Sequence, residues 1–243
     1  MAEVRALIVA AGKGTRAGLP YPKTLHPVKG VPILLRLLEL VETIDRTPTV
    51  VVSPEGKVPI TRCIATAGRT AHLVVQAQPR GMGDAVLQFT RSPAFPDTTD
   101  VVLIWGDVPL IQTETLNATM VRHLKNDNDF TFPTRHVDKA YTFVSRNILR
   151  EVVSVEETRE TTERLQLSGE RDIGLFVFKK APVLEALERD LRGKFGRVTG
   201  EHGFLYVIAH LASLGCRVEG LDIAKEIDLV SLNKLSDIAT LSD

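Results

Sequence analysis

A run of small residues interrupted by cations follows the first apolar segment of the chain. Small side chains let successive backbone N–H groups approach a phosphate closely and form an anion nest. The run comprises Ala10, Ala11, Gly12, Lys13, Gly14, Thr15 and Arg16, and Lys23 follows after two prolines. Arg16 and Lys23 add the positive charge that a polyphosphate needs. We therefore predict a phosphate-binding loop at this position.

Other phosphate-loop chemistries fit this segment less well. The spacing from Gly12 to Ala17 matches the dinucleotide fingerprint, but Gly18, Pro20 and Pro22 prevent the helix that this fingerprint requires. No acidic residue ends the next strand about 20 residues on, where a ribose would be held. A Walker loop is excluded because Gly-Lys-Ser/Thr is absent. The alternatives that remain are a loop that wraps a nucleoside triphosphate and an ordinary turn with chance cations.

Two further segments place polar groups after apolar runs. Gln76 ends such a run, and its amide can give a base both a donor and an acceptor, while Gly81 lets the backbone approach a flat ring. Asp107 follows the apolar run Val101–Trp105. Ligands of open α/β sheets bind at the carboxyl ends of strands, where a carboxylate can hold Mg²⁺ on phosphate oxygens. Taken alone, each segment is also compatible with a plain turn or helix cap.

Together these motifs resemble the signature of the sugar-1-phosphate nucleotidyltransferases, in particular the uridylyltransferase domain of the bifunctional N-acetylglucosamine-1-phosphate enzymes. The shared motifs are Ala10-Ala-Gly-Lys-Gly-Thr-Arg16, Pro22-Lys23 and Gly106-Asp-Val-Pro-Leu110. The resemblance extends, with gaps, over nearly the whole chain, although Pro79 and Met82 replace the family's usual Gln and Thr. It implies an α/β, Rossmann-like nucleotidyltransferase fold of the GT-A type, with a mixed, mainly parallel sheet sandwiched by helices.

The resemblance also implies residue roles. Arg16 and Lys23 are the expected catalytic residues, and Mg²⁺ is the expected cofactor, held by Asp107 and Asn233. Asp228 is a nearby alternative to Asn233, and Asn233 is also suited to a plain helix N-cap. The expected nucleotide-binding residues are Ala10, Ala11, Gly12, Lys13, Gly14, Thr15, Gln76, Gly81, Met82 and Gly106.

The positions that would hold the acceptor depart from the family pattern. The expected acceptor-binding residues are Tyr141, Glu157, Asp172 and His202. Asp172 stands where the family has Asn, His202 where it has Tyr, and Leu205 where it has Thr. An Asn can donate to a sugar oxygen, whereas an ionised Asp only accepts. We therefore predict a phosphorylated acceptor other than N-acetylglucosamine 1-phosphate, with an amine that pairs with Asp172 or Glu157 as one candidate.

The elements that must position these residues change character along the chain. The first half reads as strands and helices in alternation, which predicts a parallel sheet. Its strands are predicted at Val4–Ala10, Val50–Val52, His72–Gln76 and Val101–Trp105, and its helices at Val31–Ile44, Val58–Ala67, Gly83–Thr90 and Thr113–Leu124.

After about residue 128 the spacing becomes hairpin-like. Strands are predicted at Asp129–Pro133, Tyr141–Arg146, Leu149–Val155, Ile173–Phe178 and Val218–Ile223, and helices at Ala181–Leu191, Phe204–Leu214 and Leu232–Leu241. The polar run Glu156–Arg171 is predicted to be mobile or to contact a partner. We expect one nucleotidyltransferase domain over 1–243, with a nucleotide-binding half (1–127) and an acceptor-binding half (128–243).

Composition narrows the classes of function. Of 243 residues, 30 are Lys or Arg and 30 are Asp or Glu, so no net positive field is available to gather a nucleic acid or an anionic membrane. The two cysteines, Cys63 and Cys216, have no metal-ligand spacing. No apolar run has the length of a membrane span, so a cytoplasmic protein is expected. The oligomeric state stays open, with a homodimer as one alternative.

The function implied by the resemblance is Mg²⁺-dependent transfer of a nucleotide, with UTP or CTP favoured, to a phosphorylated acceptor such as a sugar 1-phosphate, releasing pyrophosphate. Because no hexapeptide repeat follows in this sequence, no acetyltransferase activity is expected. One alternative is a cytidylyltransferase for a non-sugar phosphate or phosphonate. A lower alternative is a non-catalytic regulatory protein on the same fold, since fold does not fix activity.

Overall fold

A computed structural model of the chain describes residues 3–12, 18–160, 167–233 and Asp237. The strands are β1 (Val4–Ala10), β2 (Pro27–Val28), β3 (Val31–Pro32), β4 (Thr49–Val52), β5 (His72–Val75), β6 (Asp100–Trp105), β7 (Phe130–Val137), β8 (Thr142–Arg146), β9 (Val152–Glu157), β10 (Gly169–Asp172), β11 (Leu175–Lys179) and β12 (Val218–Asp222). The helices are α1 (Ile33–Val41), α2 (Pro54–Thr66), α3 (Met82–Leu87), α4 (Thr113–Asn126), α5 (Lys180–Glu188) and α6 (Tyr206–Ser213).

The central sheet is mixed, and its first half is parallel. β6, β1, β4 and β5 lie side by side in that order, and every pairing among them is parallel. All six residues of β6 and all four of β4 are buried, as expected for strands covered by helices on both faces. The carboxyl ends of these strands therefore lie along one edge of the sheet. The predicted fold class is confirmed.

The second half of the chain extends the same sheet through β11 and β7. β11 pairs antiparallel with both β6 and β7, and β12 pairs parallel with β7. β10 also pairs antiparallel with β7, with Asp172 opposite Thr134, whereas in β11 Val177 lies opposite Thr131. The two registers against β7 differ by two residues, so the chain contains a two-residue break between β10 and β11. Gly174, with φ of +79°, lies in this break, and a Cβ there would come within 2.7 Å of the Trp105 ring.

An aromatic cluster packs where the two halves of the sheet meet. Phe130 contacts Phe132, Phe176, Phe178 and Phe204, with ring centroids 5.6 to 6.0 Å apart. These aromatic side chains are fully buried, and offset or edge-to-face aromatic pairs stabilise by more than their buried area alone. Phe176 also contacts Trp105 of β6, with ring centroids 5.5 Å apart, so the cluster holds β7 and β11 against β6.

Several predicted boundaries are wrong for local reasons. The helix predicted at Val58–Ala67 begins at Pro54, because the Ser53 hydroxyl accepts from the Gly56 N–H and caps it. The helix predicted at Val31–Ile44 begins at Ile33, because Val31–Pro32 pairs with Pro27–Val28.

The strand predicted at Leu149–Val155 begins at Val152. The Asn147 side chain accepts from the backbone N–H groups of Leu149 and Glu151 and closes a turn instead. Within Glu156–Arg171, β9 continues to Glu157 and β10 begins at Gly169; residues 161–166 lie outside the described residues. Most of the helix predicted at Leu232–Leu241 also lies outside them.

No helix among the described residues is long and apolar enough to cross a membrane.

Candidate active site

A cleft of about 510 Å³ opens at the carboxyl ends of β1, β5 and β6. The residues that follow these three strands line one wall, and residues from β8 to β10 and the segment before α6 line the other. Of the predicted site residues, the cleft brings together Ala10, Ala11, Gly12, Lys23, Gln76, Gly81, Met82, Gly106, Asp107, Tyr141, Glu157, Asp172 and Asn233. Residues predicted at different points of the chain thus share one concave surface, of a size suited to a small ligand.

The phosphate-loop prediction is only in part within the described residues. Ala11 and Gly12 follow β1 directly and line the cleft beside Gly106. The Gly106 N–H donates to the Val9 carbonyl at 2.8 Å, and a Cβ at Gly106 would lie 2.7 Å from that oxygen. Glycine is therefore required for β1 and the residues after β6 to approach this closely. Lys13, Gly14, Thr15 and Arg16 lie outside the described residues.

Lys23 and Asp107 form an ion pair in this part of the cleft. The Lys23 ammonium donates to Asp107 Oδ2 at 2.7 Å and to the Leu232 carbonyl at 2.7 Å. Both side chains are largely buried, with 15% and 26% of their surface exposed. The Leu232 N–H in turn donates to the Asp107 carbonyl at 2.8 Å. The segment before Asn233 is thereby held against the residues after β6, which brings Asn233 to the cleft.

The oxygen atoms available here fit a magnesium ion. Asp107 supplies a carboxylate and Asn233 an amide oxygen, both of the hard type that Mg²⁺ prefers. The part of the chain that is described contains no cluster of three His, Cys, Asp or Glu side chains suited to a metal. A metal held by these two residues would take its remaining ligands from water and from phosphate oxygens, as Mg²⁺ commonly does.

Asp228, the alternative to Asn233, is committed to a structural role. Its side chain is fully buried. Oδ1 accepts from the Gln112 N–H at 2.7 Å, and Oδ2 accepts from the Thr115 hydroxyl and the Lys225 N–H. It does not line the cleft. These contacts favour Asn233 over Asp228 as the partner of Asp107.

The predicted base-binding segment lies at the far end of the first wall. Gln76 is 5% exposed, and its Nε2 donates to Asp84 Oδ2 at 2.7 Å and to the Gly81 carbonyl at 3.1 Å. Gly81 has φ of +112°, and a Cβ there would lie 2.4 Å from the His202 carbonyl. The segment is thus built around a glycine and a glutamine whose amide nitrogen is already bonded.

On the second wall of the cleft, which carries the predicted acceptor-binding residues (the acceptor wall), Asp172 is held by neutral donors. Its Oδ2 accepts from the Thr142 hydroxyl at 2.7 Å and its Oδ1 from the Gly174 N–H at 2.8 Å. The Arg171 guanidinium lies 3.7 Å from the centroid of the Tyr141 ring, at cation–π distance. Desolvation and the nearby Asp172 carboxylate raise the pKa of Tyr141, so its hydroxyl stays protonated. Asp172 therefore faces the cleft as an oriented carboxylate beside a neutral phenol.

Glu157 is paired with an arginine that sequence reasoning missed. The Arg159 Nε donates to Glu157 Oε2, and the same guanidinium lies 3.4 Å from Glu201 and 3.7 Å from Glu160. Burial raises the pKa of Glu157, against the opposing effect of Arg159. Arg159 lies in a stretch rich in Glu, a pattern that predicts ion pairs but does not predict that the residue lines the cleft.

His202 occupies a different place from the one expected. It is not among the residues that line the cleft, and its ring Nε2 lies 3.2 Å from the Tyr206 hydroxyl. Its backbone N–H donates to the Arg80 carbonyl, and its carbonyl accepts from the Gly83 N–H. Burial lowers the pKa of His202, which favours the neutral ring. His202 thus supports the base-binding segment from behind.

The residues that line the cleft without having been predicted include Thr142, Glu201 and Thr24. Thr142 orients Asp172, and Glu201 pairs with Arg159. Thr24 is 2% exposed, and its hydroxyl has no hydrogen-bond partner among the residues described. Its position next to Lys23 was the one signal in the sequence that could have identified it.

Fold and cleft together define a nucleotidyltransferase domain. Residues 6–214 match the family of MobA-like NTP transferase domains, and the chain belongs to that family. Among curated proteins it is similar to the bifunctional protein GlmU of Leifsonia xyli subsp. xyli, with 28% identity over 246 residues that cover 98% of this chain and 48% of that protein. The GlmU protein of Streptococcus sanguinis is 32% identical over 186 residues, 75% of this chain and 39% of that protein.

The chain thus spans about half the length, or less, of these curated relatives. Among solved structures it is similar to a UDP-glucose pyrophosphorylase complexed with UDP-glucose, with a TM-score of 0.77 and 17% identity over 100% of this chain and 97% of that one. The resemblance to sugar-1-phosphate nucleotidyltransferases is confirmed.

Proposed function

We propose that this protein is a Mg²⁺-dependent nucleotidyltransferase that joins a pyrimidine nucleoside triphosphate, UTP or CTP, to a small phosphorylated acceptor and releases pyrophosphate. The observation that carries the proposal is the Lys23–Asp107 pair beside Ala11 and Gly12, at the carboxyl ends of adjacent strands. A cation, a carboxylate and small residues at one end of a cleft suit a triphosphate. Membership of the MobA-like NTP transferase family supports the same conclusion.

In the proposed reaction, an acceptor phosphate oxygen forms a bond to the α-phosphorus of the triphosphate. The bond from the α-phosphorus to the bridging oxygen breaks, and pyrophosphate leaves with the electron pair. A phosphate monoester has a second pKa near ~6, so the nucleophile is largely ionised at pH 7 and needs no general base. The residues of the protein therefore act by alignment and by neutralising charge.

The residues at the end of the cleft that contains Lys23 and Asp107, here called the phosphate end, each have a part in that task. Lys23 binds the incoming phosphate and the α-phosphate, and the small residues from Ala11 to Gly14 bind the triphosphate. Arg16 neutralises charge at the α-phosphorus. Asp107 and Asn233 would hold Mg²⁺, which would neutralise charge on the phosphate oxygens.

The acceptor wall supports a second candidate, a cytidylyltransferase for a non-sugar phosphate or phosphonate. The donors to the Asp172 carboxylate are both neutral groups, and Glu157 shares its arginine with Glu160 and Glu201. Carboxylates outnumber cations along this wall, which suits an acceptor that carries a positive charge. Asp172 is the better partner for an amine, because Glu157 is already paired.

A pyrophosphate-release screen tests both candidates. It crosses four nucleoside triphosphates with sugar 1-phosphates, aminoalkyl phosphates and aminoalkyl phosphonates, with and without Mg²⁺. Turnover of a pyrimidine triphosphate with at least one acceptor, lost on chelation, supports the proposal. The absence of any Mg²⁺-dependent turnover, with every triphosphate and every acceptor, contradicts it.

Thermal stability separates the enzyme from a regulatory protein on the same fold. A ligand that binds only the folded state raises Tm. The proposal therefore predicts that triphosphate plus Mg²⁺ raises Tm and that NAD alone leaves Tm unchanged. Protection by triphosphate without turnover in the full screen would favour the regulatory alternative. Protection by NAD alone would favour an oxidoreductase.

A further inference from the structure

The base-binding segment contains a carboxylate that restricts what Gln76 can offer a nucleotide. Gln76 Nε2 donates to Asp84 Oδ2 at 2.7 Å and to the Gly81 carbonyl at 3.1 Å. An ionised carboxylate and a peptide carbonyl only accept hydrogen bonds. Flipping the amide would set Gln76 Oε1 against both of these oxygens. The NH₂ group is therefore committed, and Oε1 is the atom left to meet a base.

Asp84 is itself held in place. It lies in the first turn of α3, and Gln88 Nε2 donates to its carbonyl at 3.1 Å and lies 3.4 Å from its Oδ2. The start of α3 is bonded to the opposite half of the chain through the Gly83 N–H and the His202 carbonyl, 3.0 Å apart. The carboxylate that orients Gln76 is thus fixed by contacts outside the cleft.

The backbone next to Gln76 supplies donors. The N–H groups of Gly81 and Met82 have no hydrogen-bond acceptor within the described ranges, and both residues line the cleft with Gln76. This segment therefore offers a base two donors and one acceptor. The pairing edge of uracil or cytosine presents two acceptors and one donor, which matches this set. The pairing edge of guanine presents one acceptor and two donors, which does not.

We propose that Asp84 is a positioning residue that fixes the Gln76 amide with its oxygen toward the base, and thereby makes the nucleotide site select pyrimidines against guanine. The inference rests on the proposed function, since it refines the nucleotide site of that reaction. A buried polar group left without its partner discriminates strongly between ligands, and a fixed amide cannot rotate to suit a second base.

The variant Asp84→Asn tests the inference, because Asn can present its NH₂ group to Gln76 and so removes one of the two acceptor oxygens that oppose the flip, leaving only the Gly81 carbonyl. We expect the ratio of kcat/KM for the preferred pyrimidine triphosphate to that for GTP to fall roughly tenfold, the effect of about one mispaired hydrogen bond. The change should appear in KM for the nucleotide, with KM for the acceptor unchanged. Asp97→Asn, the same substitution at an exposed turn, is the matched control and should keep the wild-type ratio.

Binding of UMP, CMP and GMP by calorimetry gives a readout that needs no turnover. If the wild type turns over no triphosphate but binds UMP or CMP at least tenfold more tightly than GMP, and Asp84→Asn loses this preference, the proposed function fails and the inference stands. If Asp84→Asn does not fold, Asp84→Ser, whose hydroxyl is too short to reach Gln76, takes its place. An unchanged preference in a folded variant, or a wild type that binds GMP as tightly as UMP and CMP, overturns the inference.

Discussion

Lys23 and Asp107 are 84 positions apart, yet Lys23 Nζ lies 2.7 Å from Asp107 Oδ2. Both are largely buried, so their attraction is weakly screened by solvent. The same ammonium also holds the Leu232 carbonyl. A single lysine thus organises the carboxylate and the chain segment that together are proposed to hold the metal.

Asp107→Asn is expected to leave the fold intact and nearly abolish turnover, because the substitution removes the charge that binds Mg²⁺ while keeping the shape of the side chain. Pyrophosphate release and Tm measure the two effects. Asp97→Asn, at an exposed turn, is the control and should retain full activity. An active Asp107→Asn enzyme, or a wild type that works in excess EDTA, would contradict the metal assignment.

Lys23→Ala should lower kcat by ~10²–10³-fold, the usual effect of removing a preorganised donor from a developing charge. Arg16→Ala is expected to act similarly and more on kcat than on KM, because its charge partner grows in the transition state. Steady-state kinetics with Lys57→Ala, an exposed lysine of α2, as the control provide the check. A change confined to KM would mean that these cations contribute only uniform binding.

At the scale of elements, the base-binding segment depends on close packing against the residues before α6. Gly81 and Gly83 lie against His202 and Gly203 so closely that a Cβ at either position would overlap backbone atoms. The two segments also exchange backbone hydrogen bonds through Arg80, Gly83 and His202. The geometry of the proposed nucleotide site is therefore set partly by a segment 120 residues later in the chain.

Gly81→Ala should raise KM for the nucleotide at least tenfold, because the new Cβ would lie 2.4 Å from the His202 carbonyl and displace the base-binding segment. Gly68→Ala is the matched control: Gly68 also has positive φ, +64°, but has open space around it. That control should show only the backbone cost, about 1–2 kcal/mol of unfolding free energy, with an unchanged KM. Equal KM values for Gly81→Ala and wild type would refute this packing argument.

For the whole molecule, one sheet unites the two halves of the chain and places a wall of the cleft on each. β6 is paired with β1 on one side and β11 on the other, so the nucleotide and acceptor walls share a strand. The phosphate end keeps the residues of the family signature, whereas the acceptor wall carries Asp172, Leu205 and the Arg159 ion pairs. Substrate choice should therefore differ from that of the family while the phosphate chemistry is retained.

N-acetylglucosamine 1-phosphate is expected to be a poor acceptor. Asp172 replaces an Asn that can donate, and a sugar hydroxyl left unpaired beside Leu205 would cost roughly 1–3 kcal/mol. The measurement is kcat/KM for this compound with UTP, beside an aminoalkyl phosphate of similar size. A value of ~10⁴ M⁻¹s⁻¹ or above, in the ordinary range for enzymes, would contradict the prediction.

Local patterns were sufficient for much of this protein. The apolar runs of β1 and β6 predicted buried parallel strands. A strand that is covered on both faces is apolar along most of its length and does not alternate between apolar and polar residues. The run from Ala10 to Arg16 predicts a phosphate loop, because that chemistry depends on neighbouring backbone groups; of this run, Ala10, Ala11 and Gly12 line the cleft, and the loop itself stays a prediction. Asp107 could be placed at the sheet edge because the carboxyl ends of parallel strands share that edge.

Other features were decided only by contacts between distant residues. Lys23 donates a hydrogen bond to the Leu232 carbonyl, 209 positions away. The Asp228 carboxylate accepts hydrogen bonds from Gln112 and Thr115, and Arg159 forms an ion pair with Glu201. The spacing of residues along the chain indicates which face of a helix or strand a residue occupies. It does not indicate which side chain from a distant part of the sequence will contact that residue in the folded protein. Whether a polar residue is a ligand, a cap or an internal partner therefore depended on the tertiary structure, because only there are its hydrogen bonds either used up or left for a substrate.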